Sequence, residues 1–116
     1  MAKSANDSIH ALPSFSANLD DSPGILVQTG ETLLFGWTIS NNDAAAAYVQ
    51  CFDAAALTDV TLGTTVADYV IPNVASGIAA KSMYKPMYFA LGLCIFCTTD
   101  ATGSTAGDED VSLEYT

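Results

Sequence analysis

"GILVQTGETLLFGWTISNND", residues 24–43, decides the fold class. Ile25 to Val27 form a short apolar run. Past Gly30 the pattern alternates, with Leu33, Phe35, Trp37 and Ile39 on one side of the chain and Leu34 and Thr38 on the other. A period of two belongs to a strand, because successive side chains of extended backbone point to opposite faces. Gly30 marks a turn between two strands. Asn41, Asn42 and Asp43 end the second one, since their short polar side chains bond the backbone in turns.

Working outward, "AAAAYVQCFDAAALTD" (44–59) sets an alanine run that favours helix against Tyr48, Val49, Cys51 and Phe52, which favour strand. The Asn-Asn-Asp turn just before it, and the lack of charged pairs three or four residues apart, support a strand. Ala47, Val49 and Cys51 then share one face, and Tyr48, Gln50 and Phe52 the other. "VTLGTTVADYVIPNVASG" (60–77) adds β-branched residues cut by Gly63, Pro72 and Gly77, and a proline inside such a run places it at a sheet edge or a strand end. A further strand is expected before Pro86, then "GLCIFCT" and the terminal "DVSLEYT". Short strands at this spacing predict an all-β fold, an antiparallel β-sandwich of jelly-roll type over residues 24–116. Its predicted core is Leu33, Phe35, Trp37, Ile39, Val49, Leu93 and Ile95.

Residues 1–23 read differently. They are polar, and Ile9, Leu12, Phe15 and Leu19 are spaced for neither a strand nor a capped helix. This stretch is expected to be an extended arm whose four apolar residues anchor it on a neighbouring surface, either an adjacent subunit or another protein of the assembly.

The chain has 116 residues, of which 50% are hydrophobic and only 14% charged, where a soluble domain usually carries about 25% charged residues. That is one domain's length, with too little charge to coat every face, so self-association is expected. Thirteen acids against three basic residues, all lysines, give a formal charge of −10, which repels nucleic acid and anionic membrane surfaces. The longest apolar stretch, Tyr88 to Cys97, is too short for a membrane-spanning helix, which needs about 20 residues, and the first residues lack a secretory apolar run. Synthesis in a cytoplasm is expected.

Cys94-x-x-Cys97 is the obvious candidate for chemistry. On a strand, positions 94 and 97 point to opposite faces, and zinc needs four converging ligands. The only histidine, His10, lies in the arm, which leaves a Ser-His-Asp or Cys-His site without a fixed base. Small buried thiols are the expected reading, with no disulfide and no cofactor. Asp108, Glu109 and Asp110 offer the hard oxygen ligands calcium takes, without EF-hand spacing. Trp37, Tyr48 and Phe52 are candidates for a sugar-stacking platform, or for core.

The Gly-Trp strand, the Asn-rich turn, the Ala-Ala-Tyr-Val strand, "VTLGTT", the "IP" strand and "ALGLCIFCTTDATGSTAG" together resemble small structural proteins of tailed bacteriophage virions. The resemblance spans roughly residues 30–107 and rests on turn and packing signatures. It implies an all-β, non-enzymatic oligomer with a trimer favoured. Its expected role is that of a capsid decoration (cement) protein partnered by the major capsid protein. Tail or fibre components share this class. A carbohydrate-binding or calcium-dependent adhesion module is the reading from another class. "KSMYKPMYFA" (81–90) and the three cysteines depart from the pattern.

Overall fold

The computed structural model describes residues 14–19 and 24–116. Among these, eight strands follow in chain order: β1 (Ser14–Leu19), β2 (Ile25–Thr29), β3 (Thr32–Asn41), β4 (Ala47–Asp53), β5 (Tyr69–Asn73), β6 (Ile78–Phe89), β7 (Gly92–Thr98) and β8 (Glu109–Tyr115). They form two four-stranded sheets, in the orders β1-β8-β3-β6 and β2-β7-β4-β5, with every pairing antiparallel. The first and last strands are neighbours, and successive strands alternate between sheets except at β4–β5. This is the eight-stranded jelly roll expected from the strand spacing. Six residues of the stretch read as an arm, β1, pair with β8 of the same chain.

Between the sheets lies a core of Leu34, Trp37, Ile39, Val49, Cys51, Ile71, Phe89, Leu93, Ile95, Cys97, Val111 and Leu113. Leu33 and Phe35, expected there, are only half-buried, and Leu34 is buried instead. The cause is a bulge at Phe35. Leu34 and Gly36 oppose the adjacent residues Tyr115 and Glu114 of β8, so β3 carries one extra residue and its alternation changes phase. Thr32 and Leu34 face inward before the bulge, and Trp37, Ile39 and Asn41 after it. Glycine at 36 suits the crossing, since a Cβ there would stand 2.6 Å from the Lys81 carbonyl oxygen.

On the other side of β3, Leu34 and Gly36 pair with Met87 and Ser82, so residues 83–86 of β6 stand opposite Phe35 alone. β6 therefore continues through Pro86, where the sequence suggested that it ends. Proline lacks the N–H of a ladder rung, and an edge strand with an irregular stretch tolerates the loss. Pro72 lies in β5, the edge of the other sheet, as its position in the sequence implies.

β7 is buried at every position. Leu93, Ile95 and Cys97 join the core between the sheets, while Cys94 and Phe96 face outward into a second cluster with Phe52 and Ala54. The rings of Phe52 and Phe96 meet edge to face, 5.6 Å apart at 89°. The β4–β5 connection, residues 54–68, closes over them with Leu57, Val60, Leu62 and Ala67. The two-sided apolar character of "GLCIFCT" is thus satisfied within one chain.

The tight β6–β7 turn is held from the end of β4. Asp53 accepts N–H bonds from Leu91 (2.7 Å), Ala90 (3.1 Å) and Gly92 (3.3 Å). Gly92 sits at φ +151°, where a Cβ would stand 2.6 Å from two backbone carbonyl oxygens, so glycine alone lets the three segments approach.

Candidate functional site

The three thiols are free and buried, and they occupy three different environments. Cys94 and Cys97 do point to opposite faces of β7, as strand geometry requires. Cys94 reaches the Ala54 carbonyl oxygen at 3.5 Å in the outer cluster, and the Cys97 thiol donates to Glu109 Oε1 at 3.1 Å between the sheets. Burial pushes Cys51 up from 9.0 to about 12 and raises Cys94 as well. For Cys97 burial comes first, and the Glu109 carboxylate pushes the same way. At neutral pH all three are thiols, whereas nucleophilic attack and metal ligation both use the thiolate.

Glu109 is a residue whose setting no local pattern announces. It is 0% exposed, while most of the other acids among the described residues sit at the surface. Its carboxylate accepts from Cys97 of β7 and from Asn73 Nδ2 of β5, at 3.1 and 3.4 Å, and so bridges from its own sheet to the other. Asn73 also donates to the Ile39 carbonyl at 3.1 Å, and Asn41 donates to the carbonyls of Ala45 and Val74 at 2.9 and 3.0 Å. Burial raises the carboxyl above its ordinary range, the bonds from Cys97 and Asn73 oppose that rise, and Asp43 adds to it. Asp108, Glu109 and Asp110 do not converge on one point. Glu109 turns inward and Asp110 outward, while Asp108 is engaged with the β3–β4 turn: its N–H donates to Asp43 Oδ2 at 3.0 Å, and its Oδ1 accepts from Asn42 at 3.2 Å. Among the described residues, no group of three or more His, Cys, Asp or Glu is arranged to hold a metal ion.

The aromatic platform is not assembled. Trp37 lies between the sheets and Phe52 in the outer cluster, both buried. A cleft of about 240 Å³ opens on the outer face of the second sheet, where Gln50 and Val70 form the floor and threonines 64, 65 and 102 stand around it, with no aromatic side chain for a sugar to stack on. Gln50 is tied down there by bonds to Thr98 Oγ1 and the Gly103 carbonyl, at 2.9 and 3.1 Å.

Of the four apolar residues assigned to the arm, Ile9 and Leu12 lie outside the described residues. Phe15 and Leu19 fall on β1, opposite Leu113 and Glu109 of β8 in the same chain.

The surface feature that stands out is β6. Exposed large apolar residues in the described chain are Leu26, Val66, Val74, Ile78, Tyr84, Tyr88 and Leu91, and the last five belong to β6 or the turns at its two ends. Tyr84 is entirely in solvent and Ile78 is 71% exposed. Lys81 and Lys85, the only basic side chains among the described residues, are on the same strand. Lys81 also lies over the Trp37 ring, 6.0 Å from its centroid, with Tyr69 tilted against the ring at 5.7 Å. The sequence signal was available: "KSMYKPMYF" gathers two of the chain's three lysines with two tyrosines and two methionines. Comparison with known proteins finds no match among family models, curated proteins or solved structures.

Proposed function

We propose that this chain is a non-enzymatic structural protein of a tailed-phage virion, a capsid decoration protein made in the host cytoplasm. In this reading it binds the major capsid protein and copies of itself, a trimer being favoured. The observation that carries the reading is β6, an edge strand among the described residues whose outer face bears the exposed apolar and aromatic side chains Ile78, Tyr84 and Tyr88 on a strongly acidic chain. Such a patch marks a protein–protein contact. Several polar groups that chemistry could use serve architecture instead: Asp53 holds a turn, Glu109 and Asn73 tie the sheets together, and the thiols stay protonated. The resemblance over residues 30–107 supplies the virion setting. A decoration protein works by adding buried area across joints between capsid subunits, and a stable joint needs at least about 1,000 Å².

The test is to purify particles, detect this chain in them by mass spectrometry and locate it by imaging. Stoichiometric density over the joints of the capsid lattice is expected. Absence from particles, or density confined to the tail, overturns the decoration reading.

A further inference from the structure

We propose that the cleft on the outer face of the second sheet is a binding site for a small uncharged ring compound carrying one hydrogen-bond donor, a phenol being the simplest case. The site is on the other sheet from β6, so it stands apart from the assembly reading.

Gln50 of β4 supplies the polar floor. Its Nε2 donates to Thr98 Oγ1 at 2.9 Å and to the Gly103 carbonyl at 3.1 Å. A carbonyl can only accept, and the Thr98 hydroxyl gives its own hydrogen to the Asp100 carbonyl at 2.7 Å, so both partners fix the amide the same way round. Both N–H groups are thereby engaged, while Oε1 accepts from no described residue. Gln50 is only 1% exposed, yet among the described residues no fully buried side-chain polar atom lacks a partner. The little of Gln50 that solvent reaches therefore includes Oε1. A rigidly held, largely desolvated acceptor at the bottom of a cleft is set to receive one donor.

Two loops stand over that floor. Residues 63–67, from the β4–β5 connection, form one wall, and Ala101 and Thr102, from the β7–β8 connection, form the other. Val70 lies beside Gln50 on the paired strand. The loops meet at Gly63, where an added Cβ would stand 3.8 Å from the Ser104 Cβ. Val66, Ala67, Val70 and Ala101 line the cleft with methyl groups, and no lining residue is charged.

Size and polarity together select the ligand. At about 240 Å³ the cleft is smaller than the about 300 Å³ at which sites for drug-sized ligands begin, and it suits a single ring. One floor acceptor matches one donor. A sugar brings several hydroxyls, and those turned toward the methyl groups would lose their hydrogen bonds to water. An anion meets an acceptor at the floor and a chain of formal charge −10 around it. An ammonium group would give up most of its hydration for a single amide oxygen. An uncharged O–H or N–H on an apolar ring avoids all three costs.

The experiment titrates phenol, and separately toluene, into the full isotope-labelled chain and follows it by NMR. Phenol is expected to produce shifts that saturate at about millimolar concentration, confined to the Gln50 side chain, residues 63–67 and residues 101–102. The Gln50 side-chain carbonyl carbon should move with phenol and stay in place with toluene, which has nearly the same shape and no donor. In Gln50→Leu the ratio of phenol to toluene affinity should fall at least about tenfold, a comparison that cancels the two ligands' own difference in hydration. Because that change also releases Thr98 and the Gly103 carbonyl, Ala101→Trp is the second variant. It fills the cleft from the wall, leaves the amide's bonds in place and should abolish the shifts, with thermal melts verifying that each variant folds. A wild type without saturable shifts overturns the proposal, and so do shifts centred elsewhere on the molecule. A Gln50 carbonyl indifferent to phenol, an affinity ratio unchanged in folded Gln50→Leu, or undiminished binding in Ala101→Trp would do the same.

Discussion

The outer face of β7 and the free edge at β6 are both apolar, yet they meet opposite fates. Cys94 and Phe96 are covered by residues 54–68 of the same chain, while Ile78, Tyr84 and Tyr88 remain in solvent. The difference lies in the connections. The β4–β5 segment is long enough to double back over the sheet and lay Leu57, Val60 and Leu62 on it. β6 is bounded by residues 74–77 and 90–91, turns too short to cover anything. An apolar strand on both faces therefore signals a partner subunit only when the chain's own loops cannot reach it.

The largest effect should come from emptying the core that both regions share. Trp37→Ala leaves a cavity between the sheets and should cost about 3 to 5 kcal/mol in denaturant unfolding. A neutral result would mean that the two sheets are not packed through this residue. Phe96→Ala should cost about 2 to 4 kcal/mol, from the cavity and the lost edge-to-face pair with Phe52. It should also raise hydrogen exchange in residues 54–68 while β3 and β8 stay protected. Uniform loss of protection would show that the outer cluster is not a separate cover.

Glu109 should reveal itself through pH. Its folded-state carboxyl lies above the ordinary value of 4.5, so the folded chain holds a proton that the unfolded chain releases. That contribution is complete below 4.5 and is lost as pH rises through the folded value. Glu109→Gln removes the dependence, so the stability difference should shift toward the variant as pH rises above 4.5. A constant difference over that range would place the carboxylate in solvent. The smallest stability effect belongs to the open edge: Tyr84→Ser should change unfolding by no more than about 0.5 kcal/mol, while weakening self-association. A large destabilisation would mean that β6 is covered within the monomer.

How much of the site was legible follows from what each residue's signal depends on. The opposed directions of Cys94 and Cys97 depend only on strand alternation, and could be read from spacing. Glu109 looked like one of three loop acids, because inward and outward positions at the start of β8 are fixed by pairing with Asn41, Ile39 and their neighbours. Nothing local to "GDED" encodes that register. The β6 strip was visible as composition, but its exposure depended on the edge position of the strand.

The sequence by itself determined most of the strands and turns after Gly24 and confined Pro72 to an edge or a strand end, because extended-chain alternation, turn residues and a missing N–H act locally. Tertiary structure alone decided the phase of β3, the cover over β7 and the burial of Glu109. Each depends on what stands across from a residue: the adjacent Tyr115 and Glu114 of β8 opposite the bulge at Phe35, the loop 54–68 over Phe96, and the Cys97 thiol and Asn73 amide facing the carboxylate. Those partners are distant in the chain, so only the folded backbone brings the groups close enough for packing and hydrogen bonding to choose between faces.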